Sequence, residues 1–99
     1  MPDLDEVIHQ PVRLRIMAAL VALETGNSVD FIYLRDLLKL TDGNLGTHLH
    51  RLEEAGYIEL AKTFVDRKPR TFLSATSKGR VAFLDHVSAL EEIFTGSSN

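Results

Sequence analysis

Thr41–Tyr57, TDGNLGTHLHRLEEAGY, is the stretch whose reading decides the fold. Thr41 and Asp42 are both N-cap types, whose side-chain oxygens accept from the unpaired amides of a first helical turn. Gly56 closes the stretch, because a helix can end there in a left-handed residue without Cβ strain. Between them Leu45, Leu49 and Leu52 recur at i, i+4 and i+7, which puts all three on one narrow stripe and predicts a helix with one buried face. The opposite face carries Gly43, Asn44, Thr47, His50, Arg51 and Glu54, with His48 on the flank. Apart from Glu54 these are small polar, amide, imidazole and guanidinium groups that can read or grip a nucleic acid. Taken alone, the same face is also compatible with an ordinary solvated helix surface, so the neighbouring elements have to decide.

The helix before it is short. Ile32–Leu40 carries Leu34, Leu37 and Leu38 at helical spacing, and only a Thr-Asp-Gly link separates it from the second helix. Two short helices joined by a tight polar turn form a helix-turn-helix pattern, here about 32–56, with the second helix in the recognition position. After Gly56 the period changes to two: Ile58, Leu60 and Phe64 alternate as on a strand with one buried face. Asp66–Arg70 is read as a turn in which three of five residues are cationic, and Thr71–Ala75 as the returning strand. The pair makes a basic-tipped β-hairpin over about 57–75.

Further out, residues 3 to 8 read as a short helical lead-in, and Pro11 opens a longer helix to about Glu24 whose apolar residues cover most of its circumference. Ser28–Phe31 can pair as a very short strand. Thr76 or Ser77 caps a last helix over about 77–94, in which Phe83, Val87, Leu90 and Phe94 form a stripe that Leu84, Ala89 and Ile93 widen. A small domain has little surface of its own to cover so broad a stripe, so a second copy is its expected cover: Phe83, Val87, Leu90, Ile93 and Phe94 are the candidate dimer interface, with residues 3 to 8 as possible helpers. Thr95–Asn99 reads as a frayed tail.

Ninety-nine residues make one domain with a single core. The absence of cysteine removes disulfides, thiolate nucleophiles and thiolate metal sites. No apolar run approaches the about 18 residues of a membrane span, and the acidic start is unlike a signal peptide, so a cytoplasmic location is expected. Net charge is −3 and the pI about 5.7, which argues against binding nucleic acid by bulk charge. The distribution is uneven, however. Residues 48–80 hold seven Lys/Arg (Arg51, Lys62, Arg67, Lys68, Arg70, Lys78, Arg80) against four Asp/Glu, whereas residues 81–99 hold none against three.

In this order of elements the chain resembles winged helix-turn-helix transcriptional regulators of the broad MarR-like and ArsR-like kind, most closely small single-domain archaeal and bacterial members. The resemblance is carried by HQPVRLRIMAAL at 9–20, LTDGNLGTHLHRLEEAGYIE at 40–59, RKPRTFLSAT at 67–76 and KGR at 78–80. It implies a mainly α fold with a small β-hairpin, a winged helix-turn-helix domain with an added C-terminal dimerisation helix. It also implies that Asn44, Thr47 and His48 approach base edges or neighbouring phosphates in the major groove. His50 and Arg51 would lie nearer the phosphates, and Lys62, Arg67, Lys68 and Arg70 would let the wing grip the adjacent backbone or minor groove. Gly46 stands where related proteins often carry serine, so no base contact is assigned to it; it could equally allow close helix packing.

Each singled-out residue has a plainer explanation beside the functional one. Met17, Phe31, Phe64, Phe72 and Phe83 are most simply core, Pro69 a stiffener of the wing turn, and Arg67, Lys68 and Arg70 a solvated tip that discourages edge aggregation. His48 and His50 are two residues apart and point to different sides of the helix, so no single-helix metal site is expected. His86 reads as a surface or interface residue. No glycine-rich phosphate loop, HExxH or nucleophile elbow occurs, so neither catalysis nor a cofactor is expected, and the residues name no small-molecule effector. The expected partners are double-stranded DNA and a second copy of the chain. The acidic pI keeps open one alternative, a winged-helix protein-interaction module.

Overall fold

A computed structural model describes residues 4–96; Asp3 of the expected lead-in and residues 97–99 of the expected tail lie outside the described residues. The elements run α1 Pro11–Val21, β1 Val29–Asp30, α2 Phe31–Leu38, α3 Asp42–Glu54, β2 Ile58–Val65, β3 Lys68–Ala75 and α4 Ser77–Phe94. The three strands form an antiparallel sheet in the order β1-β3-β2. The fold is a winged helix with an additional C-terminal helix. Among the described residues no helix is long and apolar enough to cross a membrane.

The core is a single cluster. Ile16, Met17 and Leu20 of α1 meet Leu34 and Leu38 of α2, the Leu45–Leu49–Leu52 stripe of α3, and Ile58 and Leu73 of the sheet. Ile8 joins them, fully buried. The helices begin as their sequences dictate: Gln10, Asp30, Thr41 and Thr76 each accept a first-turn amide with the side chain. α1 stops at Val21 rather than near Glu24. Arg80 of α4 donates to the freed carbonyls of Val21 and Leu23, at 3.1 and 2.9 Å, and so satisfies the helix end from another element. α4 is closed by Thr95, whose amide donates to Glu91 at 2.8 Å, and the Gly96 amide donates to Ile93 at 3.2 Å.

α3 ends in a Schellman motif. The Tyr57 amide donates to the Leu52 carbonyl at 3.0 Å and that of Gly56 to Glu53 at 2.9 Å, with Gly56 at φ +80°. The same turn receives α4: Thr76 donates through its hydroxyl to the Gly56 carbonyl at 2.6 Å and through its amide to Tyr57 at 3.0 Å. Gly79 then packs so close that an added Cβ would lie 2.0 Å from the Tyr57 carbonyl oxygen. The KGR step is therefore a close approach of backbones that admits only glycine.

The wing differs from expectation in its turn. Val65 pairs with Lys68, leaving a two-residue loop of Asp66 and Arg67, both at positive φ (51° and 67°). Positive φ at both central positions fits the right-handed twist of the flanking strands. Lys68, Pro69 and Arg70 consequently belong to β3, not to the turn. Pro69 is tolerated there because β1 pairs with β3 only at Phe72 and Leu73, so one side of β3 is open at Pro69. Phe64, expected in the core, is 74% exposed, because the hairpin runs past the body that buries Ile58.

Residues 5–10 make a turn, not a helix, and fasten to the same chain. The Asp5 carboxylate accepts the Val7 and Ile8 amides at 2.8 and 3.0 Å and the Tyr57 hydroxyl at 2.5 Å. Its own amide donates to His86 Nδ1 at 3.1 Å, and the other ring nitrogen of His86 lies 3.3 Å from His9 Nδ1. His86 is thus 1% exposed within the chain, where the sequence predicts a surface or interface position; the partner that buries it lies 81 residues away. Burial, and then the neighbouring His9, push the His86 pKa down, against the opposing pull of Asp5. Burial pushes the Asp5 carboxyl up, but Tyr57 and the Ile8 and Val7 amides outweigh it and hold the carboxyl low. The same bond, with burial, raises Tyr57 to about 12.

Two predictions follow from this packing. Gly79→Ala should cost about 3 kcal/mol by overpacking, read as a lowered midpoint in chemical denaturation. Because His86 is held neutral when folded and gains its proton more easily when unfolded, stability should fall as pH drops from about 7 to about 5. His86→Asn, which keeps an acceptor without the titration, should flatten that fall in melting temperature.

Candidate nucleic-acid interface

α3 turns its leucines inward and leaves Asn44, Thr47, His50 and Arg51 exposed. The Thr47 hydroxyl donates to the Gly43 carbonyl at 2.9 Å, so it presents outward its lone pairs and a methyl group. His50 sits 3.5 Å from Glu54, one turn on. Gly46 is surrounded by open space where a Cβ would stand, so close packing does not require it.

His48 is different. It is half-buried, with Nδ1 3.3 Å from Arg13 Nη1, and Arg13 also donates through Nε to the Val7 carbonyl at 2.5 Å. Burial, and then the Arg13 charge, push its pKa down. A neutral His48 with Nδ1 as acceptor is the form that suits this contact, and it braces α3 against α1 and residues 5–10.

The wing and α2 meet at a cleft lined by Ile32, Arg35, Asp42, Pro69, Arg70 and Thr71. Three ion pairs stand beside it. Arg70 holds Asp30 at 2.5 Å, and Arg35 holds Asp36 at 2.9 Å and Asp42 at 2.7 Å. Burial pushes the Asp30 carboxyl up, but the Ile32 amide and Arg70 outweigh it and keep the carboxyl low. Asp42 and then Asp36 raise the Arg35 pKa. These bonds tie the first residue of α3 to α2, and the start of α2 to the wing.

The cations sort into two sets. Arg13, Arg15, Arg35, Arg70 and Arg80 donate within the chain, and the Lys78 ammonium sits 5.8 Å from the Tyr57 ring centroid. Lys39, Arg51, Lys62, Arg67 and Lys68 have no partner among the described residues. Four of these five stand on α3 and the wing. The fifth, Lys39, is the left-handed C-cap of α2 (φ 57°), in the turn leading to α3. Sequence reasoning missed Lys39, since a lysine at a helix end reads first as a complement to the helix dipole. Conversely, Arg70 is engaged rather than free.

On α4, Phe83 packs against the core, Val87 and Leu90 are half-buried, and Ile93 and Phe94 are exposed, Phe94 at 83%. The inward side of α4 outruns the body that covers its first turns. Among the described residues no group of three His, Asp or Glu could hold a metal ion.

A two-helix reader beside a hairpin with unpaired cations defines the class as a winged helix-turn-helix. Residues 12–94 match the family described as Winged helix DNA-binding domain, and the chain belongs to that family. It is 40% identical over 82 residues to an uncharacterized protein of Methanocaldococcus jannaschii, covering 83% of this chain and 86% of that one. Its structure is similar to that of a transcriptional regulator homologue from Pyrococcus horikoshii OT3, with a TM-score of 0.84 and 30% identity over 96% of this chain and 91% of the other. It is also similar to Streptococcus pneumoniae FabT in complex with DNA, with a TM-score of 0.57 and 26% identity over 94% and 69% of the two chains.

By NMR titration, the His48 ring should show a midpoint below the ordinary 6.5, rising in Arg13→Ala as the neighbouring charge is removed.

Proposed function

We propose that this protein is a homodimeric, sequence-specific double-stranded DNA-binding transcriptional regulator. The observation that carries the proposal is the placement of the unpartnered cations on α3, the turn before it and the wing, in a chain whose net charge is −3. α3 enters the major groove. Asn44 offers the bidentate amide that pairs with adenine, and Thr47 offers an acceptor and a methyl that suit an exocyclic amine or a thymine. His48 contributes through its ring edge away from Arg13 and mainly fixes the helix. His50, Arg51 and Lys39 face the backbone, and Lys62, Arg67 and Lys68 place the wing on the adjacent phosphates or minor groove. Arg70 adds less, since its charge is shared with Asp30.

A second copy covers the uncovered end of α4, Ile93 and Phe94 continuing the stripe of Val87 and Leu90. A symmetric dimer then sets two recognition helices about one DNA turn apart, so that half-sites are spaced by about 10 base pairs or a multiple. That the similar Streptococcus pneumoniae FabT is in complex with DNA supports DNA as the ligand.

Gel-shift titrations on duplex DNA at several salt concentrations test the proposal. Arg67→Ala and Lys68→Ala should each weaken binding to all sequences and reduce the salt slope by about one unit, and Arg70→Ala by less. Absence of retardation at low salt would overturn it in favour of a protein-interaction module.

A further inference from the structure

We propose that Phe64, with Pro69 beside it across the hairpin, forms an apolar edge of the wing that enters the DNA minor groove and favours easily unstacked base steps there. The inference rests on the DNA-binding role proposed above.

Phe64 is 74% exposed, whereas Phe31, Phe72 and Phe83 are all at least half-buried. The hairpin register gives it a defined neighbour. A two-residue loop makes Val65 and Lys68 the hydrogen-bonded closing pair, so Phe64 and Pro69 form the next, non-hydrogen-bonded pair. Backbones at such pairs approach to about 4.5 Å, which sets a flat ring against a rigid one. Side chains alternate along a strand, so Phe64 shares the sheet face of Ile58 and Leu60, which pack on the core. Its cross-strand partner Pro69 lines the cleft with Asp42, the first residue of α3. The apolar edge therefore borders the cleft that the first residue of α3 also lines.

Unpartnered cations surround it: Lys62 two residues back on the same face, Arg67 in the turn and Lys68 at the start of β3. An exposed aromatic ring at a hairpin tip gives the folded monomer almost no buried area and is a liability for aggregation. Among cations that attract a polyanion, the same ring is suited to the sugar walls and base edges of a narrow groove. Apolar wedges that enter the minor groove partly unstack a step, which costs least at pyrimidine–purine steps and most in stiff A-tracts. The wing then reads deformability where α3 does not reach.

The test compares an alternating d(AT) duplex with a dA·dT homopolymer duplex. The two have the same composition and minor-groove atoms but differ in TA steps. Wild-type protein should prefer the alternating duplex, and Phe64→Ala should lose that preference. It should also bind the alternating duplex about tenfold more weakly, with an unchanged salt slope and an unchanged melting temperature. The chain has no tryptophan, so Phe64→Trp supplies a single indole, whose emission, excited apart from that of the two tyrosines, should be quenched by the alternating duplex. Wild-type affinity and step preference in Phe64→Ala, alongside weakened Lys68→Ala, would overturn this inference while leaving DNA binding intact. A lowered melting temperature with unaltered binding would assign Phe64 to hairpin stability, and a changed oligomeric state would assign it to contact with a second copy; either overturns it. Failure of the wild type to bind any duplex would remove the DNA-binding role itself.

Discussion

Everything on the working surface depends on the burial of Leu45, Leu49 and Leu52 beneath α3. Each leucine removed from water contributes roughly 2 kcal/mol, and together they fix which side of α3 faces out. The helix is also held at both ends. Thr41 caps its start, and the Gly56 turn is fastened by Thr76 and by the backbone contact at Gly79. The proposed recognition role needs a helix that presents its side chains without adjusting to each encounter, and α3 is fixed along its length and at its termini.

Charge is arranged with the same economy. Most arginines are used internally, as helix-end donors or in ion pairs that join α2 to α3 and to the wing. The acidic pI therefore does not describe the surface around α3. What a polyanion would meet is the unpaired set, and bulk charge averages that set away. The exposed ion pairs are worth little to stability individually; they link α2 to α3 and the start of α2 to the wing.

How far the fold was legible follows from which signals are local. The three leucines, the Thr41 and Thr76 caps and the alternation of Ile58 and Leu60 are local patterns, and each element they predict exists. Three features depended on distant partners or on shape. His86 is buried by Asp5 and His9, which no spacing on α4 reveals. Periodicity placed Phe64 on the correct face of β2 but could not say where the body beneath that face ends. The turn at Asp66–Arg67 lacks the glycine that usually marks two positive-φ positions, so it read as a longer loop. In the candidate site, residue types pointed to α3 and the wing. Which cations are free there, Lys39 included and Arg70 excluded, depends on carboxylates brought close only by folding.

Selection of bound sequences from a random duplex pool tests the central claim most directly, because it reports DNA recognition and dimer symmetry at once. The structure's two-helix reader and uncovered α4 end predict enrichment of two inverted half-sites with centres about 10 base pairs apart or a multiple of it. A pool that stays unenriched, or that yields one unrepeated motif, would contradict the account.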